Sequence, residues 1–513
     1  MNERPVVLWA DDEIELLKPY LIFLNQKGYD VVTANSGRDA ISLLASANPD
    51  IVFLDENMPG ISGLETLQII KERNPVVPIV MITKSEEENI MEQAIGSKIA
   101  DYLIKPVNPN QILMTLKKHV SGKAIVSRHA TASFRDEFQD LSFVISSART
   151  LAEFMDIYQT LVRWSETLQD ADDSMRQLLS TQYDDANKAF AKLVRSNYQN
   201  WLADDTLLMS HRLMPMQVMP RLNAGDKVCL VVIDNFRYDQ WRAIYNIVAE
   251  KFHIVSQQLY CTILPTATQY ARNSIFSALM PLQIKQRYPQ LWVEEGDEDS
   301  KNQYEKELLN AYFQRNRRSL TSEYYKINES AFCEKLVEQL PARNAHADMI
   351  AVVVNFIDML SHSRTESQMM RELAADEQAY LSLTKSWFQY SPTIDLLLQI
   401  RKLGYKILIT TDHGTKRVTN AVKVVGDKNT NVNLRYKVGK SLAYNDREVV
   451  AFTRPEEIGL PAPNVSSHYI FAQNKDFLAY PNNYNYYVGY YRDTFQHGGI
   501  SLEEMLVPLI EIE

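Results

Sequence analysis

Three aspartates and three histidines in the carboxyl-terminal part of the chain stand where side chains could gather around metal. Asp234 closes V-V-I-D, Asp358 and His362 are four apart in F-I-D-M-L-S-H, Asp412 and His413 adjoin in I-T-T-D-H-G, and His497 precedes two glycines in Q-H-G-G. Only nine histidines exist in the chain, and three fall in these contexts. Singly, each residue has a plain structural explanation, such as a helix cap, a surface histidine or a turn. Jointly they make a mixed nitrogen and oxygen donor set, which suits Zn²⁺, with Mn²⁺ as the alternative, better than Mg²⁺ or Ca²⁺. A hydroxyl stands among them in sequence: Thr268 in L-P-T-A-T-Q-Y-A-R, at the head of an expected helix. Direct metal coordination would deprotonate it for attack on phosphorus, and Arg272 is a possible stabiliser of negative charge on the phosphoryl oxygens. An N-cap role for Thr268 is compatible with this chemistry.

A second group lies near the amino terminus. Asp11 and Asp12 follow one expected strand, Asp55 ends another, Thr83 ends a fourth, and Lys105 follows a fifth in I-K-P. Three carboxylates brought together repel one another and need a cation, and an oxygen-only cluster suits Mg²⁺. A lysine and a hydroxyl beside them would stabilise a phosphoryl group on one carboxylate, which is the chemistry of an aspartyl-phosphate switch.

The elements that must position these residues fall into three regions. Over the first 120 residues, five short apolar runs (5–10, 29–34, 50–55, 78–83 and 100–106) alternate with helical patterns, the signature of a doubly wound parallel sheet whose ligands sit at the strand carboxyl ends. From Lys123 to Met214 there is neither glycine nor proline. That stretch is expected to form consecutive long helices, a connector or dimerisation bundle. Strands return at 227–234, 348–358 and 405–412, each an apolar run ending on an aspartate. The strand-end rule then places Asp234, Asp358 and Asp412 along one edge of a second α/β sheet.

Composition narrows the field. With 513 residues, 45% of them apolar, the chain can bury several cores, and a net charge of −10 argues against nonspecific wrapping of a nucleic-acid backbone. The three cysteines, Cys229, Cys261 and Cys333, suggest neither a disulfide framework nor a thiolate metal site. No leader pattern and no apolar run of membrane-spanning length is present, so the expectation is a cytoplasmic protein without membrane insertion.

The motifs A-D-D-E, F-L-D-E-N-M-P-G, M-I-T-K-S and Y-L-I-K-P, over about residues 4–120, resemble the receiver domains of bacterial two-component response regulators. That resemblance implies that Asp55 is the phosphoacceptor, that Asp11, Asp12 and the Asn57 backbone carbonyl hold Mg²⁺, that Thr83 and Lys105 contact the phosphoryl group, and that Tyr102 is the aromatic switch. It also implies a sensor histidine kinase as partner and a homodimer on phosphorylation. The order Asp, P-T-x-T, D-x-x-x-H, D-H-G and H-G-G, over about residues 215–513, resembles the alkaline phosphatase superfamily, and its P-T-A-T-Q-Y-A-R segment and its ending resemble the PglZ-domain branch. The implied ligand sets are Asp234, Thr268, Asp412 and His413 for one Zn²⁺, and Asp358, His362 and His497 for the other, with Thr268 as nucleophile. The C/S-x-P-x-R motif of sulfatases is missing.

The expected architecture is therefore a multidomain α/β chain: a flavodoxin-like receiver over 1–120, an all-α helical connector over 121–210 and an alkaline-phosphatase-like domain over 211–513. This order is similar to the response regulators of Bacteroidota that carry a PglZ domain and are associated with type IX secretion, which implies a secretion-system or sigma-factor partner. The expected activity is zinc-dependent phosphodiester hydrolysis. A nucleotide or oligonucleotide substrate is suggested by the tyrosines of Y-P-N-N-Y-N-Y-Y-V-G-Y-Y-R, whose faces can stack on bases, while their plain structural reading is packing in ordinary strands. The competing expectations are a phosphorylation-controlled interaction or transcription regulator with a structural metal site, and a phosphomonoesterase.

Overall fold

The computed structural model describes residues 4–84, 99–120, 122–169, 171–295, 297, 300–317, 320–343, 346–366, 371–372, 374, 376–427, 430–464, 466–482 and 484–513. The chain forms two compact units: residues 1–135 with 167–172, and residues 136–166 with 173–513.

In the first unit, β1 (Val6–Ala10), β2 (Asp30–Ala34), β3 (Ile51–Asp55), β4 (Ile79–Thr83) and β5 (Asp101–Ile104) form a parallel sheet in the order β2-β1-β3-β4-β5. This is the flavodoxin-like order, with its strand-order reversal beside β1. Alternate residues of each strand serve opposite faces: Leu8, Ala10, Val52 and Leu54 enter one apolar cluster, while Val7, Trp9, Ile51 and Phe53 enter the other. Burial on both faces explains why these strands read as continuous apolar runs.

Three long helices follow: α1 (Gly122–Ser147), α2 (Leu151–Thr167) and α3 (Asp173–Ala203). The buried residues of α2 (Leu151, Phe154, Ile157, Tyr158, Leu161, Val162 and Trp164) recur at helical spacing and form one stripe. Phe154 meets Phe190 of α3 with ring centroids 5.4 Å apart, and Tyr158 packs on Tyr238. The greater part of α2 and all of α3 thus belong to the second unit.

That unit is built on β6 (Lys227–Ile233), β7 (Ile254–Cys261), β8 (Ser322–Ile327), β9 (Met349–Val354), β10 (Tyr405–Thr410) and β18 (Leu506–Ile512), ordered β7-β18-β10-β6-β9-β8. Strands β8, β9, β6 and β10 are parallel, and β18 runs antiparallel between β10 and β7. Pairing of Thr410 with Val232 and of Ile233 with Val354 brings three strand carboxyl ends to one edge. Between β10 and β18 the chain adds small sheets: β11 (Lys416–Arg417) with β17 (Phe495–Gln496), β12 (Asn420–Lys423) with β16 (Asp476–Ala479), and β13 (Tyr436–Gly439), β15 (His468–Ala472) and β14 (Val449–Phe452) together. The three cysteines are free and buried.

Two local expectations are corrected. The run 348–358 is not one strand: β9 ends at Val354 and the chain turns at Asn355 into a helix, α5 (Phe356–Glu366), preceded in the chain by α4 (Thr268–Ser277). Asp358 therefore sits in a first helical turn and not at a strand end. The tyrosine-rich segment is a helix, α6 (Tyr484–Tyr491), with no buried residue, although β-propensity favoured strands. Its rings stack one turn apart, Tyr486 on Tyr490 and Tyr487 on Tyr491, a contact that helical spacing supplies and a strand does not.

The turn before β18 is held by a fully buried ion pair, in which Arg435 Nε and Nη2 donate to the two oxygens of Glu504 at 3.0 and 2.5 Å. Substitution Arg435→Ala would leave the Glu504 carboxylate buried and uncompensated. The expected loss is about 3–5 kcal/mol of unfolding free energy, to be measured by urea denaturation.

Candidate functional site

The strand ends and α5 bring the six candidate metal-ligating residues into two adjoining clusters. In each, candidate donor atoms lie within 4.8 Å of one another: Asp234 with Asp412 and His413, and Asp358 with His362 and His497. In the first, His413 Nε2 is 3.9 Å from Asp234 Oδ1 and 3.8 Å from Asp412 Oδ2. In the second, Asp358 Oδ2 lies 3.5 Å from His362 Nε2, and its Oδ1 lies 3.7 Å from His497 Nε2. The i, i+4 spacing of Asp358 and His362 puts both on one face of α5. The imidazoles of His413 and His497 stack at 4.4 Å, so the two clusters meet at these rings.

Thr268 is the first residue of α4, with Ala267 as the N-cap, so its hydroxyl is not used for capping. It lies 3.1 Å from His413 Nε2 and 3.4 Å from Asp234 Oδ1. His413 Nδ1 is 3.1 Å from the Gly414 carbonyl, which can only accept, so Nδ1 is the donor of that contact and Nε2 faces Thr268. Thr268 is half-buried and His362 is exposed, whereas Asp412 and His413 are sealed. The site is thus open to solvent on the Thr268 and His362 side.

Arg272, one turn along α4, is fully buried. Its Nη1 donates to Asp234 Oδ2 at 2.7 Å and lies 3.7 Å from Asp412 Oδ2, while its Nε pairs with buried Glu305. Tyr324 donates to the other oxygen of Glu305. This guanidinium has no exposed surface; its Nε and Nη1 are paired, while its Nη2 is buried without a hydrogen-bond partner.

Burial pushes the carboxyls of Asp358 and Asp412 above the ordinary range, with the Asp234 charge adding to the rise. For Asp234 burial acts the same way, but the charge of Arg272 and then that of His413 outweigh it, and its pKa falls below the usual value. Burial, reinforced by His413 and His362, holds His497 well below the usual imidazole pKa, so it stays neutral as a ligand must. Asp412 Oδ2 and His497 Nδ1 are buried without a hydrogen-bond partner. Of the two, Asp412 Oδ2 is an orphaned carboxylate oxygen inside a mixed carboxylate and imidazole set, which a metal ion would satisfy; His497 faces Asp358 with its other nitrogen, Nε2.

Sequence reasoning missed Asn235. Held at φ 64°, it donates its backbone N–H to Asp412 Oδ1 and its amide to Asp358 Oδ1, both at 3.3 Å, and so bridges the two clusters. An asparagine directly after a strand-ending aspartate was the available signal, since asparagine tolerates this left-handed conformation. Glu305 was also missed. It lies far from every motif, and only the fold shows what it touches.

In the first unit, Asp11, Asp12 and Asp55 form a third cluster at the ends of β1 and β3. Lys105 Nζ lies 2.8 Å from Asp11 Oδ2 and 3.0 Å from Asp55 Oδ1. Burial raises the Asp55 pKa against the opposing hydrogen bond and charge of Lys105. Thr83 is buried at the end of β4 and hydrogen-bonds the Tyr102 side chain, and Asn57 stands exposed in the turn after β3. A Cβ on Gly63 would meet the Asp55 carbonyl at 2.4 Å, so glycine is required behind the end of β3.

Comparison with known proteins matches this geometry to family models. Residues 213–512 match the BREX system PglZ alkaline phosphatase-like domain, which is more than half of the chain. The chain belongs to the PglZ family. Residues 7–117 match the response regulator receiver domain, and residues 124–202 match a PorX response regulator linker domain. Among curated proteins, it is 25% identical over 160 residues to the alkaline phosphatase synthesis transcriptional regulatory protein PhoP of Bacillus subtilis, covering 31% of this chain and 64% of that protein. It is 32% identical over 116 residues to the transcriptional regulatory protein ResD of the same organism, covering 23% and 48%. The chain thus spans less than two thirds of either relative. Among solved structures, the chemotaxis protein CheY4 of Vibrio cholerae is 29% identical over 23% of this chain and 98% of its own, with a TM-score of 0.22. This PglZ family member thus joins a response regulator receiver domain to an alkaline phosphatase-like carboxyl-terminal domain. No helix among the described residues is long and apolar enough to cross a membrane.

Because the Asp358 and Asp412 carboxyls are raised in the metal-free protein, they hold more protons as pH falls, and a divalent cation must displace them. Proton release on metal binding is therefore expected to be larger at pH 6 than at pH 8. Calorimetry in buffers of different ionisation enthalpy measures it, and equal release at both values would contradict the raised carboxyls.

Proposed function

We propose that the chain is a response regulator, phosphorylated on Asp55, whose carboxyl-terminal domain is a zinc-dependent phosphodiesterase acting on nucleotide or oligonucleotide diesters. The observation that carries this reading is the Thr268 hydroxyl beside His413 and Asp234, at the open side of two adjoining three-residue donor clusters. Asp234, Thr268, Asp412 and His413 would hold one zinc, and Asp358, His362 and His497 the other. When bound, the metals supply positive charge that lowers the pKa of the Thr268 hydroxyl and offsets charge on the phosphoryl oxygens.

The Thr268 oxygen attacks phosphorus in line, the bond from phosphorus to the leaving alcohol breaks, and a phosphothreonine forms. Water then attacks phosphorus, releases the monoester and returns the hydroxyl to Thr268. Arg272 keeps Asp234 anionic and fixes its orientation, and Asn235 sets the spacing between Asp412 and Asp358. The nucleotide preference is supported by α6, which lies shortly before His497 in the chain and exposes Tyr486 and Tyr487. Stacking on such rings holds a base with about 1–3 kcal/mol.

In the receiver, Asp11, Asp12 and the Asn57 carbonyl would hold Mg²⁺, Lys105 and Thr83 would contact the phosphoryl group, and Tyr102 would report its presence through its hydrogen bond to Thr83. A sensor histidine kinase as donor, a homodimer on phosphorylation, a secretion-system or sigma-factor partner and a cytoplasmic role in type IX secretion complete the reading.

Thr268→Ala is expected to lower kcat on a chromogenic phosphodiester by about 10³-fold or more while zinc content is retained. Unchanged turnover, or a wild type that prefers the corresponding monoester, would overturn the mechanism or the substrate class respectively. In the receiver, Asp55→Asn is expected to abolish labelling by a small phosphodonor, and beryllofluoride is expected to double the mass of the wild type in light scattering. A monomer in both states would reject the dimer.

A further inference from the structure

The loops carrying His413 and His497 are held by one turn, and that turn is gripped by α3. Strand β11 begins three residues after His413 and pairs with β17, which ends immediately before His497, with Lys416 opposite Gln496. Below this ribbon lies the turn 501–505. The Gly414 N–H donates to the Glu504 carbonyl at 3.1 Å, and a Cβ on Gly414 would meet the Glu503 carbonyl at 2.0 Å. The Gly499 N–H donates to Glu504 Oε1 at 2.9 Å. The turn therefore touches the residue next to His413 and the second residue after His497.

On its other side, Asn187 of α3 holds the turn with both ends of its amide. Its Nδ2 donates to Glu503 Oε2 at 3.2 Å, and its Oδ1 accepts the Leu502 N–H at 2.7 Å. The other Glu503 oxygen accepts from Lys416 Nζ at 2.6 Å, and that ammonium lies 5.9 Å from the centre of the Tyr183 ring, one turn before Asn187 on α3. Asn187, Lys416, Glu503 and Glu504 are all buried, at 0%, 4%, 7% and 0% exposure. Buried polar groups that lose a partner are costly, so this network has one satisfied arrangement, and it ties the position of α3 to both loops.

We propose that Asn187 and Glu503 are positioning residues for the His413 and His497 loops, and that α3 is the route by which the phosphorylation state of the receiver reaches them. The helix begins at Asp173, where the chain passes from the first compact unit into the second. Asn187 lies four turns on, about 21 Å along a rigid rod at 1.5 Å per residue. The catalytic consequence rests on the metallohydrolase reading above, but the mechanical link does not.

The test uses the full-length protein with Asn187→Leu, which removes both hydrogen bonds at similar volume, and Glu503→Gln, which keeps shape and removes the charge facing Lys416. Gln199→Leu is the control, because Gln199 of α3 donates to Glu457, which belongs to neither loop. Amide hydrogen exchange over 412–416 and 496–500 is expected to accelerate about tenfold or more in Asn187→Leu, less in Glu503→Gln, and not in the control. Beryllofluoride is expected to change protection of both loops in the wild type and to have no effect on them in Asn187→Leu. Cobalt(II)-loaded Asn187→Leu is expected to show an altered visible spectrum, and its kcat on a chromogenic diester to fall with KM little changed. Unchanged exchange at both loops in a folded Asn187→Leu or Glu503→Gln protein overturns the positioning role. Loops of the wild type that ignore beryllofluoride overturn the route. A wild type inactive on the diester, with the exchange results as expected, defeats the hydrolase reading and leaves this link standing.

Discussion

The carboxyl-terminal domain depends on a cluster of negative charge that the sheet topology brings together. Parallel pairing of β10 with β6 places Asp234 and Asp412 at one edge, and the turn after β9 delivers Asp358 beside them. Carboxylates at such distances in a buried setting cannot all remain charged without cations. Arg272 offsets part of that charge at Asp234, while burial, and after it the Asp234 charge, still raises the carboxyls of Asp358 and Asp412. A metal ion among these carboxylates and imidazoles would supply the remaining compensation.

This constraint accounts for much that would otherwise be unrelated. Glu305 and Tyr324 hold Arg272, so a helix and an edge strand outside the motifs serve the site indirectly. Asn235 adopts a left-handed backbone to join the two clusters. The pairing of β11 with β17 carries His413 and His497 toward each other until their rings stack. The receiver answers the same kind of problem on a smaller scale, with Lys105 between Asp11 and Asp55.

Arg272 shows how position changes the chemistry of a residue type. At the head of a helix near a proposed nucleophile, an arginine suggests contact with phosphate. Buried to 0% exposure, it is paired instead with Asp234 and Glu305. The tyrosines of α6 went the opposite way: residues that favour buried strands lie on an exposed helix, because their stacking partners are four residues away in the same segment.

The sequence alone determined the receiver sheet, the helical stretch after it and the second α/β sheet, because periodicity and buried-strand composition are local properties. It also determined the six Asp and His residues and Thr268 as a set, because strand ends and the i, i+4 spacing of Asp358 and His362 are local as well. What only the tertiary structure decided is which groups face one another across long separations. Asn187 and Glu503 are 316 residues apart, Arg272 and Glu305 are 33 apart, and no motif joins either pair. Such contacts follow from how helices seat on a sheet, and a buried polar group finds its partner only after the chain has closed around it.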